Sequence, residues 1–190
     1  MTDHIGHDAW IEAGLKELGR NGIGGVRVEV LAKNLGVTKG GFYRRFKNRR
    51  ALLDGILQTW TRDRIAVLEK HTELGDETAR DRLKSLIALY SERINPEGMA
   101  IELAIRQWAR FDGAALAAMA SVDSARLKSG GQLYRKLGLA AEDAQARAVL
   151  LYSFIFGRSL IVLGQASRKQ ASLTAACIDA LTEGCAQRPR

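Results

Sequence analysis

The sequence is poor in the residues that build disulfide, metal and sheet-rich proteins, with two cysteines, three histidines and two prolines in 190 residues. Cys177 and Cys185 stand eight positions apart, and on one helix they would lie beyond disulfide reach. We expect two reduced, half-buried thiols, and pairing with a second copy under oxidation is the alternative. No histidine stands at metal-ligand spacing from a cysteine or another histidine. The sequence therefore predicts no metal site and no cofactor.

Long apolar runs are also missing. No stretch reaches the roughly 20 apolar residues that span a bilayer, and residues 1–25 lack the apolar core of a signal peptide. We therefore expect a cytoplasmic protein without membrane contact. No nucleophile–base pair, metal cluster or phosphate loop stands out, so an enzyme is not predicted.

Positive charge is in excess and is concentrated at the front. The net charge is +8; residues 1–50 hold ten Lys and Arg against five Asp and Glu, whereas the other 140 residues have an excess of only three. A basic N-terminal block on a nearly balanced body favours a nucleic-acid module attached to a second domain. A merely basic soluble protein is the alternative.

The periodicity predicts an all-α chain, because helix formers dominate and strand-like alternation is nearly absent. Predicted helices cover 8–20, 28–34, 38–46, 48–70, 79–94, 99–110, 113–137, 140–165 and 173–185. Asn48 is the predicted N-cap of the fourth helix, and residues 95–98, with Pro96, form a predicted turn. We expect a break near Gly130 and Gly131 in the seventh. The N-terminal helices 1–3 predict a DNA-binding domain over 1–50, followed by a helical effector-binding and dimerisation domain over 51–190.

The stretch from Leu35 to Leu53 carries the most informative pattern. Gly36 stands where a tight turn between two helices needs a left-handed residue, and Thr38 where the next helix needs its N-cap. Phe42 and Phe46, four residues apart, give this third helix a buried face. Its other face is cationic and aromatic, with Lys39, Tyr43, Arg44 and Arg45. Such a helix fits a major groove, whereas a plain three-helix corner is the alternative.

With these residues the chain resembles the TetR family of bacterial transcription regulators, strongly from about Asp8 to Ile56. The matching positions have fixed spacing and include Gly22, Val28, Leu31, Ala32, Gly36, Val37, Thr38, Lys39, Gly40, Tyr43, Phe46, Lys47, Asn48, Arg49, Leu52 and Leu53. Beyond about Thr59 only the helical layout matches. The resemblance implies an N-terminal helix-turn-helix domain and a body that meets a ligand and a dimer partner.

The resemblance also implies roles for single residues. The DNA-binding positions would be Arg27, Thr38, Lys39, Gly40, Gly41, Tyr43, Arg44, Arg45, Lys47 and Arg49. Lys39 and Arg44 would contact base edges, and Tyr43 would stack on the sugar–phosphate edge. Phosphates would be held, together with the start of the fourth helix, by Thr38, Arg45, Lys47 and Arg49, and Arg27 could reach one more. Two positions depart from the family pattern: Arg27 replaces a Ser or Thr cap, and Gly41 replaces a small side chain that can touch a base. Gly40 and Gly41 have low helix propensity, so the third helix is expected to be soft, that is weakly ordered, without DNA.

The body offers an effector pocket and a dimer face. Trp60, Tyr90, Trp108 and Phe111 predict a largely apolar ligand cavity, although aromatics at helical spacing also suit an ordinary core. Glu102 and Arg106 are predicted to lie on a solvated face, and a buried polar contact for a ligand is the alternative. The eighth and ninth helices predict a homodimer interface through Leu151, Ile155, Gly157, Gly164, Leu173 and Ala180; an eighth helix buried inside its own monomer is the alternative.

These features together predict a ligand-responsive repressor that binds a palindromic double-stranded DNA operator as a homodimer. An architectural DNA-binding protein without an effector is one rival. A helical enzyme or binding protein with an incidental basic N-terminus is the other.

Overall fold

The computed structural model describes residues 5–73, 78–89, 95–160 and 168–183. Every regular element in these ranges is a helix and none is a strand, which confirms the all-α prediction. The helices are α1 (His7–Gly25), α2 (Val28–Asn34), α3 (Lys39–Tyr43), α4 (Arg49–Glu73), α5 (Ala79–Leu89), α6 (Pro96–Trp108), α7 (Gly113–Lys136), α8 (Ala141–Leu160) and α9 (Arg168–Glu183). Within these ranges, no helix combines the length and apolarity needed to cross a bilayer.

The N-terminal helices follow local sequence signals closely. The bounds of α2 are those predicted. In α1 the backbone breaks at Gly22, where φ is 67°, so the predicted stop is real, although helical structure resumes as far as Gly25. The predicted third helix was too long, because regular α-helix covers only Lys39–Tyr43.

Two predicted interruptions are wrong. Pro96 was assigned to a turn but opens α6, because a helix's first residue needs no intrahelical N–H bond. Gly130 and Gly131 were expected to break α7, which runs through them. A Cβ built on Gly130 would lie 3.2 Å from the Ala148 Cβ, so this glycine permits close packing of α7 and α8. The predicted ends of α5 at 94 and α8 at 165 lie outside the described residues.

The chain divides into two compact units, with boundaries inside α4, at the start of α6 and inside α7. Unit 1 comprises Met1–Arg64 and Pro96–Val122, and unit 2 comprises Ile65–Asn95 and Asp123–Arg190. The division at residue 50 into DNA-binding and effector domains stays a prediction.

Unit 1 is built around the contact of α1 with α6 and around the short helices α2 and α3. A Cβ on Gly19 would lie 3.0 Å from Ile101 Cγ1, so the two helices approach closely. The buried apolar side chains come from these helices and from α4 and include Trp10, Leu18, Leu31, Phe42, Leu52, Ile56 and Ile105. Burial of that area stabilises the unit by roughly 25 cal/mol per Å². Glu102 was predicted to be solvated, but it is 2% exposed and paired with Arg106 at 2.9 Å.

Unit 2 closes the end of α9 with side chains from two other helices. The Tyr134 hydroxyl of α7 donates to the Leu181 carbonyl at 2.9 Å, and Arg147 Nη1 of α8 donates to the Ala180 carbonyl at 3.0 Å. These donors satisfy carbonyls that a helix end leaves without partners. Cys177, predicted to be half-buried, is exposed on α9, and Cys185 lies outside the described residues.

Candidate nucleic-acid interface

The turn between α2 and α3 has the predicted geometry. Gly36 has φ 68°, a conformation that costs a residue with a Cβ but not glycine. The Val37 N–H donates to the Ala32 carbonyl at 2.9 Å, and the Gly36 N–H donates to Lys33 at 3.1 Å. These bonds end α2 and direct the chain into α3.

A cluster of aromatic rings packs on the buried side of α3. Phe42 and Phe46 are both buried, and their ring centroids lie 5.3 Å apart. Trp10 of α1 meets Phe42 edge-on at 5.3 Å, and the His7 ring stacks on Phe46 at 4.5 Å. The apolar side of α3 is therefore fixed to α1, and its other side faces outward.

The predicted DNA-binding residues lie at the surface of the protein. All ten are exposed except Gly41, which is half-buried. We call the exposed side chains among them on α3, around its ends and at the start of α2 the recognition surface, which consists of Arg27, Thr38, Lys39, Tyr43, Arg44, Arg45 and Lys47. Tyr43 is 62% exposed, and its ring meets the Phe42 ring at 84° and 5.1 Å. Phe42 thus orients Tyr43 while most of the ring stays accessible.

Capping differs from helix to helix here. Asn48 Oδ1 accepts the Ala51 N–H at 3.0 Å, so the predicted cap of α4 is confirmed. Thr38 stands at the N-cap of α3, but its side chain makes no cap hydrogen bond. Arg27 likewise provides no side-chain cap for α2, as the departure from the family pattern predicted. The α3 helix is thus five residues long, contains two glycines and lacks a side-chain cap; its softness without DNA stays a prediction.

Lys39 has a partner that the motif did not indicate. Its Nζ lies 2.6 Å from Oε1 of Glu29 in the first turn of α2. The hydrogen bond from Lys39, helped by the backbone N–H of Glu29, lowers the pKa of the Glu29 carboxyl below its ordinary value. Ten residues separate the pair in sequence, so no helical spacing reveals it; only the packing of α2 on α3 brings them together.

Arg49 donates hydrogen bonds to backbone carbonyls within unit 1. Its Nε donates to the Val26 carbonyl at 2.6 Å and its Nη2 to the Ile23 carbonyl at 2.7 Å. The guanidinium thereby ties the start of α4 to the end of α1. Its predicted phosphate contact stays a prediction, with two of five donors engaged in the fold.

Arg50 links α4 to the residue before α7. Its Nη1 donates to Asp112 Oδ2 at 2.6 Å and its Nε to Asp54 Oδ1 at 2.8 Å. The hydrogen bond to Asp112 raises the pKa of Arg50, and the same bond, with the Ala115 N–H, lowers the pKa of Asp112. All of these residues belong to unit 1.

The four predicted ligand residues differ in their exposure to solvent. Trp60 and Trp108 are both buried in unit 1, and the Trp60 Nε1–H finds no acceptor among the described residues. The Phe111 ring is 84% exposed, so it lines no cavity among the described residues. Tyr90 lies outside the described residues.

The predicted dimer residues also divide. Leu151 and Ile155 are buried within the single chain, whereas Leu173 and Ala180 are exposed and a Cβ on Gly157 would meet open space. Gly164 lies outside the described residues. Val149 and Leu150 are further exposed apolar side chains, one turn or less from Leu151 on α8, that the sequence reasoning missed.

Comparison with known proteins agrees with this geometry. Residues 11–56 match the family model described as bacterial regulatory proteins, tetR family. A Rhodococcus sp. structure assigned to TetR-family transcriptional regulators is 27% identical, with TM-score 0.70 over 93% of this chain and 98% of that one. No curated protein sequence matches the chain.

Two more distant structures share the fold. A Saccharomonospora viridis structure, assigned as a transcriptional regulator and solved with choline, is 16% identical with TM-score 0.77, covering 94% of this chain and 95% of that one. The reduced form of E. coli NemR is 17% identical with TM-score 0.72, covering 95% and 99%. At these identities the likeness concerns the fold alone.

Proposed function

The chain belongs to the TetR family of bacterial regulatory proteins, and we propose that it is a homodimeric repressor whose operator affinity responds to a small-molecule effector. The observation that carries the proposal is the recognition surface. A helix fixed by Phe42 and Phe46 presents cations and Tyr43 outward, and the capped start of α4 follows directly. Cationic side chains with exposed amides beside them bind phosphates, and lysine or arginine reads guanine edges.

The DNA test starts with an operator selected from random duplexes by the full-length protein. Lys47 is exposed and has no ion-pair partner among the described residues, so we assign it to a phosphate. Lys47→Ala should weaken binding to all duplexes alike and reduce the salt slope by about 0.9. Lys39→Ala or Arg44→Ala should instead relax preference at particular base pairs, by about 1–3 kcal/mol.

Lys128→Ala is the matched control, since it removes the same charge from an exposed position on α7 of unit 2. It should leave the salt slope unchanged. A Lys47→Ala protein that changes sequence preference but keeps its salt slope contradicts the phosphate assignment. Failure of the wild-type protein to enrich any duplex contradicts the proposed function itself.

Dimer formation is supported by the exposed apolar side chains of α8 and α9. Val149, Leu150 and Leu173 expose apolar area that a second copy would cover. Gly157→Glu or Leu150→Glu should shift the protein toward monomer and abolish tight operator binding, whereas Ser124→Glu, at an exposed position of α7, should not. A well-folded wild-type monomer at micromolar concentration, seen by sedimentation, would contradict the dimer.

An effector site is supported by Trp60. A buried indole N–H without an acceptor costs free energy that a ligand acceptor would recover. We propose a largely apolar effector that carries one hydrogen-bond acceptor for this group. Binding would change the spacing of two recognition helices from the about 34–36 Å that one turn of B-DNA requires. The choline complex of the S. viridis structure shows that a protein of this fold can hold a small molecule.

The effector test uses pairs of apolar and aromatic compounds that differ by a single acceptor. Thermal stabilisation should favour the acceptor-bearing member in the wild type, and Trp60→Phe should remove that preference while retaining the apolar binding. Each hit is then tested for its effect on operator affinity. Hits that stabilise the protein but never change DNA affinity favour an architectural DNA-binding protein instead.

A further inference from the structure

The segment from Arg27 to Arg50 contains a single acid among eight lysines and arginines, and that acid touches the recognition helix. Glu29 Oε1 lies 2.6 Å from Lys39 Nζ, and the two side chains are 59% and 58% exposed. We propose that Glu29 is a specificity-determining residue: it competes with DNA for Lys39, and the pair favours a G·C base pair. This inference rests on the proposed DNA-binding function.

The geometry places the carboxylate on the DNA-reading side. Glu29 lies in the first turn of α2, Lys39 opens α3, and the turn at Gly36 fixes one helix against the other. Glu29 is not buried, so its ion pair does not serve a core. The lowered pKa keeps its carboxyl ionised at the pH of any binding assay.

An ionised carboxylate at this place has an unequal effect on different DNA sequences. Non-specific binding comes almost wholly from cations that neutralise phosphates, and Glu29 both repels phosphates and neutralises Lys39. Non-cognate complexes therefore lose affinity. A cognate site compensates only if it offers acceptors to the Lys39 ammonium and does not leave Glu29 unpartnered.

The G·C pair meets both needs in the major groove. Guanine presents the N7 and O6 acceptors, which suit lysine, and cytosine presents its N4 amino group, which suits a carboxylate. Lys39 and Glu29, held together in the free protein, form a donor and an acceptor at neighbouring positions. Any other base pair at this position would leave Lys39 or Glu29 desolvated without a hydrogen-bond partner.

The simplest alternative is that the ion pair only joins α2 to α3. Exposed ion pairs usually contribute little to stability. A purely structural pair predicts that removing it changes the affinity for every duplex by the same factor. Selectivity and salt dependence therefore separate the two roles.

The experiment compares full-length wild type and Glu29→Gln on two duplexes. One is the operator selected by the wild type, and the other is a scrambled duplex of the same length and base composition. Glu29→Gln should bind the scrambled duplex about tenfold more tightly, with a salt slope steeper by about 0.9. Affinity for the operator should stay equal or fall, so the specificity ratio drops about tenfold or more. A new selection with the variant should lose the preference for G·C at one position in each half-site.

Glu12→Gln is the matched control, because it neutralises an exposed carboxylate that pairs with Lys16, also at 2.6 Å, on α1. It should leave the specificity ratio unchanged. In a Lys39→Gln background, Glu29→Gln should alter the ratio less than in the wild type, since part of the carboxylate's effect passes through that lysine. Glu29→Asp, which keeps the charge but shortens the reach, should retain the weak non-specific binding and lose the base preference.

Two results overturn the inference. One is a Glu29→Gln protein whose two affinities change by the same factor; the other is an undiminished effect without Lys39. Either result, obtained while the wild type still selects an operator, leaves the proposed function intact. A wild type that selects no operator overturns the function and the inference together.

Discussion

The recognition surface of unit 1 keeps its positive charge exposed to solvent, whereas the α7–α8 contact of unit 2 buries a positive charge. On the recognition surface, Lys39 stays more than half exposed and shares its charge with an equally exposed carboxylate. In unit 2, Arg126 is 1% exposed, bonds Asp123 at 2.9 Å and lies 5.0 Å from the centre of the Phe156 ring. An exposed cation can bind a phosphate, whereas a buried cation interacts only with the groups packed around it. Cation counts along a sequence therefore indicate DNA binding only where the structure leaves the charge in solvent.

The largest expected effect comes from removing what holds the exposed cations in place. Phe42→Ala should lower the free energy of unfolding by about 3–5 kcal/mol, because it leaves a cavity among Trp10, Phe46 and the rest of the core. Operator binding should be lost with it. Phe111→Ala removes the same ring from an 84% exposed position and should change stability by less than about 0.5 kcal/mol. Denaturant titration checks both; equal losses would show that α3 does not depend on its apolar side.

The buried cation gives the next effect, and its two partners should differ. Asp123→Asn should cost about 2 kcal/mol, because it leaves the Arg126 charge buried with less countercharge. The figure lies below that of a fully buried pair since Asp123 is 39% exposed. Arg126→Met should cost less, because it keeps the volume beside Phe156 and leaves a carboxylate that water reaches. If Arg126→Met is the more damaging variant in thermal unfolding, the guanidinium contributes more by packing than it costs by burial.

A smaller effect of opposite sign is expected within the recognition helix. A Cβ on Gly41 would find only the Val37 Cβ, at 4.0 Å, so Gly41→Ala fits and should stabilise the protein by about 0.5–1 kcal/mol. Gly36→Ala is the contrasting variant and should destabilise, because φ there is 68°. Thermal melting measures both. Should Gly41→Ala raise the melting temperature yet weaken operator binding, DNA approaches the backbone at this glycine.

The smallest effect concerns the pH dependence of the Arg50–Asp112 pair. Its hydrogen bond lowers the pKa of Asp112 in the folded state, so its stabilisation is present above the unfolded pKa of about 3.9 and disappears as pH falls through the lowered value. Arg50→Gln should return the Asp112 pKa toward its ordinary value in an NMR titration. The variant should also lose up to about 1 kcal/mol at pH 7, but nothing at pH values below the lowered pKa. Arg62→Gln, from a surface pair with Asp63, should leave Asp112 unchanged; a shift there would point to a general charge effect.

Local sequence patterns correctly predicted the features that depend on interactions between nearby residues. The left-handed Gly36, the Asn48 cap, the α2 bounds and the buried pair Phe42 and Phe46 all follow from residues within a few positions of one another. The same patterns overestimated the length of α3, which ends at Tyr43 and continues only as a turn, in which the Arg45 and Phe46 N–H groups donate to the Phe42 carbonyl.

Long-range contacts account for most of what the sequence did not indicate. Arg49 reaches carbonyls more than 20 positions away, and Arg50 reaches Asp112 across 62. Neither partner is visible in a helical pattern, so Arg49 was assigned wholly to DNA. Glu102 is charged and was expected to be solvated, but the neighbouring Arg106 lets it be buried as a pair. The four-residue spacing of that pair is visible in the sequence, whereas the burial of Glu102 is visible only in the folded chain.

Asp112 serves two helices with one carboxylate. Oδ1 accepts the N–H groups of Ala114 and Ala115 at 2.9 and 3.1 Å in the first turn of α7, while Oδ2 accepts from Arg50 of α4. Rotation of that side chain breaks both sets of bonds at once, so fraying of the α7 start and release of Arg50 are a single cooperative opening event. The Ala114 and Ala115 amides should then exchange with solvent deuterium at a common rate, and Arg50→Gln should accelerate both by the same factor.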